Sequence, residues 1–330
     1  MPATSRTSAM SRPAPRRRPV STGRAGSSPR VSHTSGRPGM KALVFIATLF
    51  ALSGAASAAP EGSARPFTME RTATWTMESA QGTTYRLYVH TPEAPPPEAG
   101  YPVLYLLDGD DTFAIAAATS ERFTKYAADH GFEAGLIVAI GYEGATRRFF
   151  DYTPASPLTE DRAGRPLGGA NAFRKTLIEE IRPQIEAAYE IDQSRQAIFG
   201  HSFGGLFILD TLLEDPFLFE TWVMASPSIW FGGRAVLENE DGLAARLDSQ
   251  RPRRVVITAG ELETRVPPAL SGQPEAPLSL RGEVEALAAR WSDMDGLSVD
   301  ARILRQESHG ATMLSGVGLA VMYAFAGGPL

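Results

Sequence analysis

From Val103 onward the chain alternates between short, almost wholly apolar runs and longer stretches whose apolar positions recur at helical spacing. Val103–Leu107, Leu136–Gly141, Ala197–Phe199, Thr221–Ala225, Val255–Ala259 and Val299–Leu304 are brief and rich in β-branched or aromatic residues, and they read as strands. Between and after them the spacing predicts helices near Phe113–His130, Ala172–Tyr189, just after Ser202, near Arg234–Leu247, at Arg281–Trp291 and from about Ala311 to Phe325. Upstream, Thr72–Thr76 and Thr84–His90 carry Thr, Tyr, Trp and Val around a Gln81-Gly82 turn, which predicts an antiparallel pair. Strand-helix alternation of this length requires crossover connections. The fold class is therefore α/β: a mostly parallel central sheet, an antiparallel N-terminal hairpin and helices on both faces.

Two connections are long against the usual two to six residues or so. Pro154–Gly169 and Thr264–Ser279 are polar, bear Pro and Gly, and follow strand ends on the side where an α/β sheet binds ligands. They read either as flaps over a pocket or as surface insertions. No internal repeat or linker interrupts residues 60–330, which read as one domain.

The N-terminus has a different composition. Residues 1–39 are rich in Ser, Pro, Gly and Arg and cannot bury a core, so they read as disordered or as an over-extended start. Met40-Lys41, the apolar run Ala42–Leu52 and the small residues Ala56–Ala59 then have the order of a secretory signal peptide over 40–59, with export to the periplasm or beyond. The apolar run is shorter than the roughly 20 residues that span a bilayer, so no stable membrane anchor is expected after cleavage. Nine of the 32 basic residues and none of the 37 acidic ones fall in 1–59, leaving a formal charge of −14 on the remainder. That sign disfavours nucleic acid as a partner. The absence of cysteine excludes disulfides, thiolate metal sites and a thiol nucleophile.

A serine nucleophile remains open. Gly200-His201-Ser202-Phe203-Gly204 is a G-x-S-x-G pentapeptide between a predicted strand and a predicted helix, the setting of a nucleophile elbow. Of the five histidines, His33 lies in the leader, His90 in the opening hairpin and His130 at a helix end. His201 adjoins the serine on a sharp turn and points elsewhere. His309, in the loop before the last helix, fits the final place in the order Ser, acid, His. The acid belongs after the strand ending at Ala259, where Glu261 and Glu263 are both candidates. One oxyanion donor is the backbone N–H of Phe203, and a second is expected from the turn at Leu107–Asp110. The acidic run Asp108–Asp111 lacks the spacing of a calcium loop, so neither metal nor cofactor is expected.

Several ordered stretches together carry a resemblance: YPVLYLLDG at 101–109, VAIGY at 138–142, RFFDYTP at 148–154, GHSFGG at 200–205, ASPSIW at 225–230 and GELE at 260–263. With these, residues 66–326 resemble the esterase branch of the α/β-hydrolases that includes S-formylglutathione hydrolases, mycolyltransferases and bacterial siderophore (enterobactin-type) esterases, and are most similar to the last group. The resemblance implies an α/β-hydrolase fold and hydrolysis of a small-molecule carboxylic ester through an acyl-serine. A siderophore lactone is one substrate it suggests. It also implies Ser202 as nucleophile, His309 as base, Glu263 rather than Glu261 as acid, and the amides of Asp110 and Phe203 as oxyanion hole. Arg148 and Asp151 belong to a matched stretch and are expected to pair with each other or to line the substrate cleft. Trp230 is expected as a pocket wall or a core aromatic. Acyl transfer to an alcohol is the alternative activity, and a non-catalytic binding protein on the same fold is a further one.

Overall fold

The computed structural model describes residues 66–125, 131–265 and 279–327. The readings made for 1–39, for the signal peptide at 40–59 and for His130 lie outside them, as does most of the connection Thr264–Ser279. The described residues belong to one compact unit, Pro66–Leu330.

Among the described residues eight strands form one sheet in the order β1-β2-β4-β3-β5-β6-β7-β8. β1 (Thr72–Glu78) and β2 (Thr84–His90) pair antiparallel, and β2 joins β4 (Leu136–Tyr142) antiparallel. β3 (Tyr101–Leu106), β5 (Ile191–His201), β6 (Thr221–Ala225), β7 (Arg253–Gly260) and β8 (Leu297–Leu304) run parallel to β4 and to one another. This is the mixed, mostly parallel sheet that the pattern predicts, in the α/β-hydrolase arrangement that the resemblance implies.

β3 and β4 are buried at every position because both faces are covered. Along β3 and just past it, Val103, Tyr105 and Leu107 enter one core with Phe173, Leu206 and Phe207, while Leu104 and Leu106 enter the other with Ala116, Val317 and Val321. On the first face lie α2 (Ala170–Thr176), continued through a π-helical turn into α3 (Arg182–Ala188), and α4 (Phe203–Glu214), which is buried along almost its whole length. α1 (Gly109–Thr124) and α6 (Ala311–Phe325) cover the other, and α5 (Leu280–Trp291) packs against β7 and β8 on the first. α6 comes very close to the sheet. A Cβ added at Gly316 would stand 2.8 Å from the Ala225 Cβ and 2.9 Å from the Phe199 ring.

Two elements differ from the sequence reading. The helix expected near Phe113 begins at Gly109, because Asp108 adopts a left-handed conformation (φ 53°) and turns the chain directly from β3 into α1. The helix expected over Arg234–Leu247 is instead a series of 3-10 turns ending in one α-turn, Leu243–Arg246. Gly232, Gly233 and Arg234 all have positive φ, which breaks helical continuity at the outset.

Candidate active site

β5 ends at His201 and α4 starts at Phe203, so the chain reverses on Ser202 alone, at φ 59° and ψ −115°. A non-glycine residue in that region is strained and is held there by its surroundings. Its N–H donates to the Ala225 carbonyl at 3.0 Å, and its carbonyl accepts from the amides of Leu206 (2.9 Å) and Ser228 (3.1 Å). Gly200 and Gly205 have a steric cause, whereas a Cβ at Gly204 would meet nothing closer than 3.5 Å. A Cβ at Gly200 would lie 2.5 Å from the backbone carbonyl group of Gly204, and one at Gly205 would lie 3.0 Å from the Pro227 Cα.

The turn directs Ser202 Oγ to His309 Nε2 at 2.9 Å, and His309 Nδ1 meets Glu263 Oε1 at 2.5 Å. The second carboxylate oxygen, Oε2, accepts from the Gly260 amide at 2.7 Å and the Ser226 hydroxyl at 2.8 Å. Ser226 in turn lies 2.8 Å from Thr312 Oγ1, which donates to the His309 carbonyl at 2.7 Å. Glu263 is only 4% exposed, whereas the His309 side chain is 41% exposed. Burial disfavours the charged Glu263, but the bonds from His309, Gly260 and Ser226 outweigh it and hold its carboxyl below the usual range.

The two candidate acids thus separate. Glu261 faces away and accepts from the Gln306 amide at 2.9 Å. His201 does not touch Ser202. Its Nε2–H donates to the His309 carbonyl at 2.7 Å and its ring packs on that of His309, with centroids 4.6 Å apart. Burial, assisted by the neighbouring His309, lowers the His201 pKa to about 4.

An unbroken serine-histidine-carboxylate line on a strand-to-helix elbow is the geometry of a serine hydrolase. A family profile described as "Putative esterase" matches residues 79–293. The chain belongs to this esterase family. Over 214 residues it is 36% identical to the ferri-bacillibactin esterase BesA of Bacillus subtilis, an alignment covering 61% of this chain and 74% of that protein. Over 171 residues it is also 36% identical to an apo-salmochelin esterase of Escherichia coli, covering 48% of this chain and 52% of that one. Among solved structures it is similar to the BES protein from Bacillus cereus. There the TM-score is 0.69 and the identity 27%, over 79% of this chain and 97% of that one. The reaction class of this esterase is carboxylic-ester hydrolysis.

Other predicted residues of the esterase fall in different places. Asp110 and Phe203 stand in the first turns of α1 and α4, where a helix leaves amides without intrahelical acceptors. The two turns adjoin, since a Cβ on Gly204 would be 3.6 Å from the Leu107 Cβ. The expected Arg148–Asp151 ion pair is not formed. Arg148 grips Asp108 through Nε (3.0 Å) and Nη2 (3.2 Å), and Nη2 also reaches the His201 carbonyl at 3.4 Å. Asp151, buried beneath β2, instead accepts from the Tyr85 hydroxyl at 3.0 Å and from Arg147 at 3.5 Å. Asp151, 2% exposed, is a core acid, whereas Arg148 ties the β3–α1 turn to the elbow. Trp230 lies in the core beside Phe203, with ring centroids 6.2 Å apart.

Sequence reasoning overlooked Asp108, Ser226 and Thr312. Ser226 has a positional signal, being the first residue beyond β6, but nothing local marks Thr312 or the partner of Arg148. The connection 154–169 is a built structure: Leu167 N–H donates to Thr159 O (2.9 Å), and Gly168 N–H donates to Thr153 Oγ1 (2.8 Å). It closes one side of a cleft of about 410 Å³ that the Phe149 and Phe150 rings also line.

Proposed function

We propose that Ser202 is the nucleophile of this esterase, His309 its general base and Glu263 the acid that orients the imidazole. In this reading His309 takes the Ser202 proton as Oγ attacks the ester carbonyl, and then delivers it to the departing alcohol. The amides of Asp110 and Phe203 receive the oxyanion. Water repeats the sequence on the acyl-serine. The observation that carries the proposal is the continuous Ser202–His309–Glu263 hydrogen-bond line. The half-exposed His309 favours hydrolysis over acyl transfer, because solvent reaches the base directly.

For the natural substrate we infer a siderophore ester, supported by the likeness to the bacillibactin and salmochelin esterases, and for its place the periplasm or exterior, supported by the signal-like order of residues 40–59. A fluorophosphonate label, p-nitrophenyl acetate and a ferric trilactone siderophore together test this. Labelling and turnover in the native enzyme, with both lost in Ser202→Ala, are expected. Turnover that survives Ser202→Ala overturns the nucleophile assignment, and an intact trilactone beside a cleaved acetate overturns the substrate.

A further inference from the structure

Ser228 lies in the loop just beyond β6, and its hydroxyl has no part in the Ser202–His309–Glu263 line. The residue is 1% exposed. Among the described residues, the only hydrogen bond of that hydroxyl is with Ser202 Oγ, at 3.4 Å. The loop that carries it is fixed. Ser228 N–H donates to the Ser202 carbonyl at 3.1 Å, Phe231 N–H donates to the Ser228 carbonyl at 3.0 Å, and Ile229, Trp230 and Phe231 are buried. Ser202 N–H reaches the Ala225 carbonyl at 3.0 Å, so backbone bonds at both its amide and its carbonyl pin the elbow to the segment that holds Ser228.

The direction of each proton along the line decides what Ser228 does. Glu263 is held as a carboxylate and can only accept, so His309 Nδ1 carries the proton between them. Nε2 of the neutral imidazole then has a lone pair and accepts from the Ser202 hydroxyl. With its one proton committed to His309, Ser202 Oγ can only accept from Ser228. A buried hydroxyl without that partner would forfeit its hydrogen bond, so the Ser228 proton points at the oxygen that makes and breaks the acyl bond. A separation of 3.4 Å is long for such a bond, as bonds to reacting atoms often are before substrate is bound.

We propose that Ser228 is a further catalytic residue of the esterase, whose hydroxyl donates to Ser202 Oγ and favours release of that oxygen when the acyl-enzyme breaks down. The inference rests on the reading of Ser202 as nucleophile. In deacylation a water oxygen bonds the acyl carbon while His309 Nε2 takes the water proton. The carbon–Oγ bond then breaks, its electron pair stays on Oγ, and Oγ recovers the proton from His309. Ser228 keeps its own proton throughout. Its bond is weakest in the acyl-enzyme, where Oγ is an ester oxygen, and strengthens as negative charge builds on the departing Oγ. In the free enzyme Oγ is a hydroxyl oxygen that already accepts this bond, so less is gained during attack. Loss of the donor therefore slows deacylation more than acylation.

Rapid-quench mass spectrometry with saturating p-nitrophenyl acetate follows acetylation of the protein through the first turnover, and its rate and plateau give the two rate constants separately. Active sites counted by fluorophosphonate labelling exclude misfolded protein from both values. In Ser228→Ala deacylation is expected to fall about 3- to 10-fold, the size of one net hydrogen bond, with acylation falling less. Ser228→Cys fills the space of the hydroxyl with a weak donor and is expected to show the same bias, which separates a lost donor from a lost contact. Equal losses in both steps, or no loss in either, overturn the proposal.

The position of the acetyl group keeps the two readings apart. Acetyl on the Ser202 peptide, together with unbiased rate constants in Ser228→Ala, overturns only the role of Ser228. Acetyl elsewhere, or turnover persisting in Ser202→Ala, overturns the nucleophile itself.

Discussion

If Ser202, His309 and Glu263 work as the proposed unit, their substitutions should not add. Ser202→Ala and His309→Ala are each expected to lower kcat by at least about 10³-fold, with the double variant little worse than either. Glu263→Gln should lower it by roughly 10- to 10³-fold, because the acid steers the imidazole without carrying the reacting proton. Glu261→Gln, which removes only the charge from an acceptor of the Gln306 amide, should lower it less than about 3-fold. Steady-state kinetics on p-nitrophenyl acetate separates these outcomes. A larger loss at 261 than at 263 would move the acid.

His201 supplies a pH prediction. Its folded pKa is about 4, whereas in the unfolded chain it takes the ordinary value of 6.5. Between those values the unfolded chain binds the extra proton and the folded chain does not, so stability falls as pH drops from about 6.5 to 4. The loss attributable to this one side chain is at most about 3 kcal/mol. His201→Gln keeps a donor for the His309 carbonyl and removes the titration. Its urea midpoint should therefore fall less between pH 7 and pH 4.5 than that of the parent.

At the scale of elements, most of what positions the site was legible in the chain. The apolar runs marked the parallel strands, and Gly-x-Ser-x-Gly marked the elbow, where backbone contact at Gly200 forbids a larger residue. Gly200→Ala should cost several kcal/mol by this collision, or else displace Ser202 and abolish turnover. Thermal melts beside kcat distinguish the two, and a variant with parental Tm and kcat would refute the steric argument. What pattern alone did not yield are pairings between distant elements. Periodicity marks which face a residue occupies and is silent on partners, so Arg148 was matched with its neighbour Asp151 rather than with Asp108, 40 residues away. The two glutamates in the loop after β7 likewise differ in which way their side chains leave that loop. The broken segment at 231–246 misled for a different reason: its composition suits a helix, but three successive positive φ angles at its start do not.

For the whole molecule, the cleft, the elbow and the acid loop all sit at the carboxyl ends of parallel strands, where an open α/β sheet binds ligands. If residues 40–59 direct export, N-terminal sequencing of protein from its native host should find the chain starting near Ala59 or Pro60. An intact residue 1 on that protein would refute it.

The three central groups rise beyond the ends of different strands, β5, β7 and β8, with Ser202 and His309 separated by 107 positions and Glu263 and His309 by 46. Parallel pairing of such distant segments is entropically slow. Turnover should therefore report the end of refolding rather than its progress. After dilution from urea, far-ultraviolet dichroism should return first and catalysis only with the last kinetic phase, giving a clock for the closure of β7 and β8 that no spectroscopic label on α4 would supply.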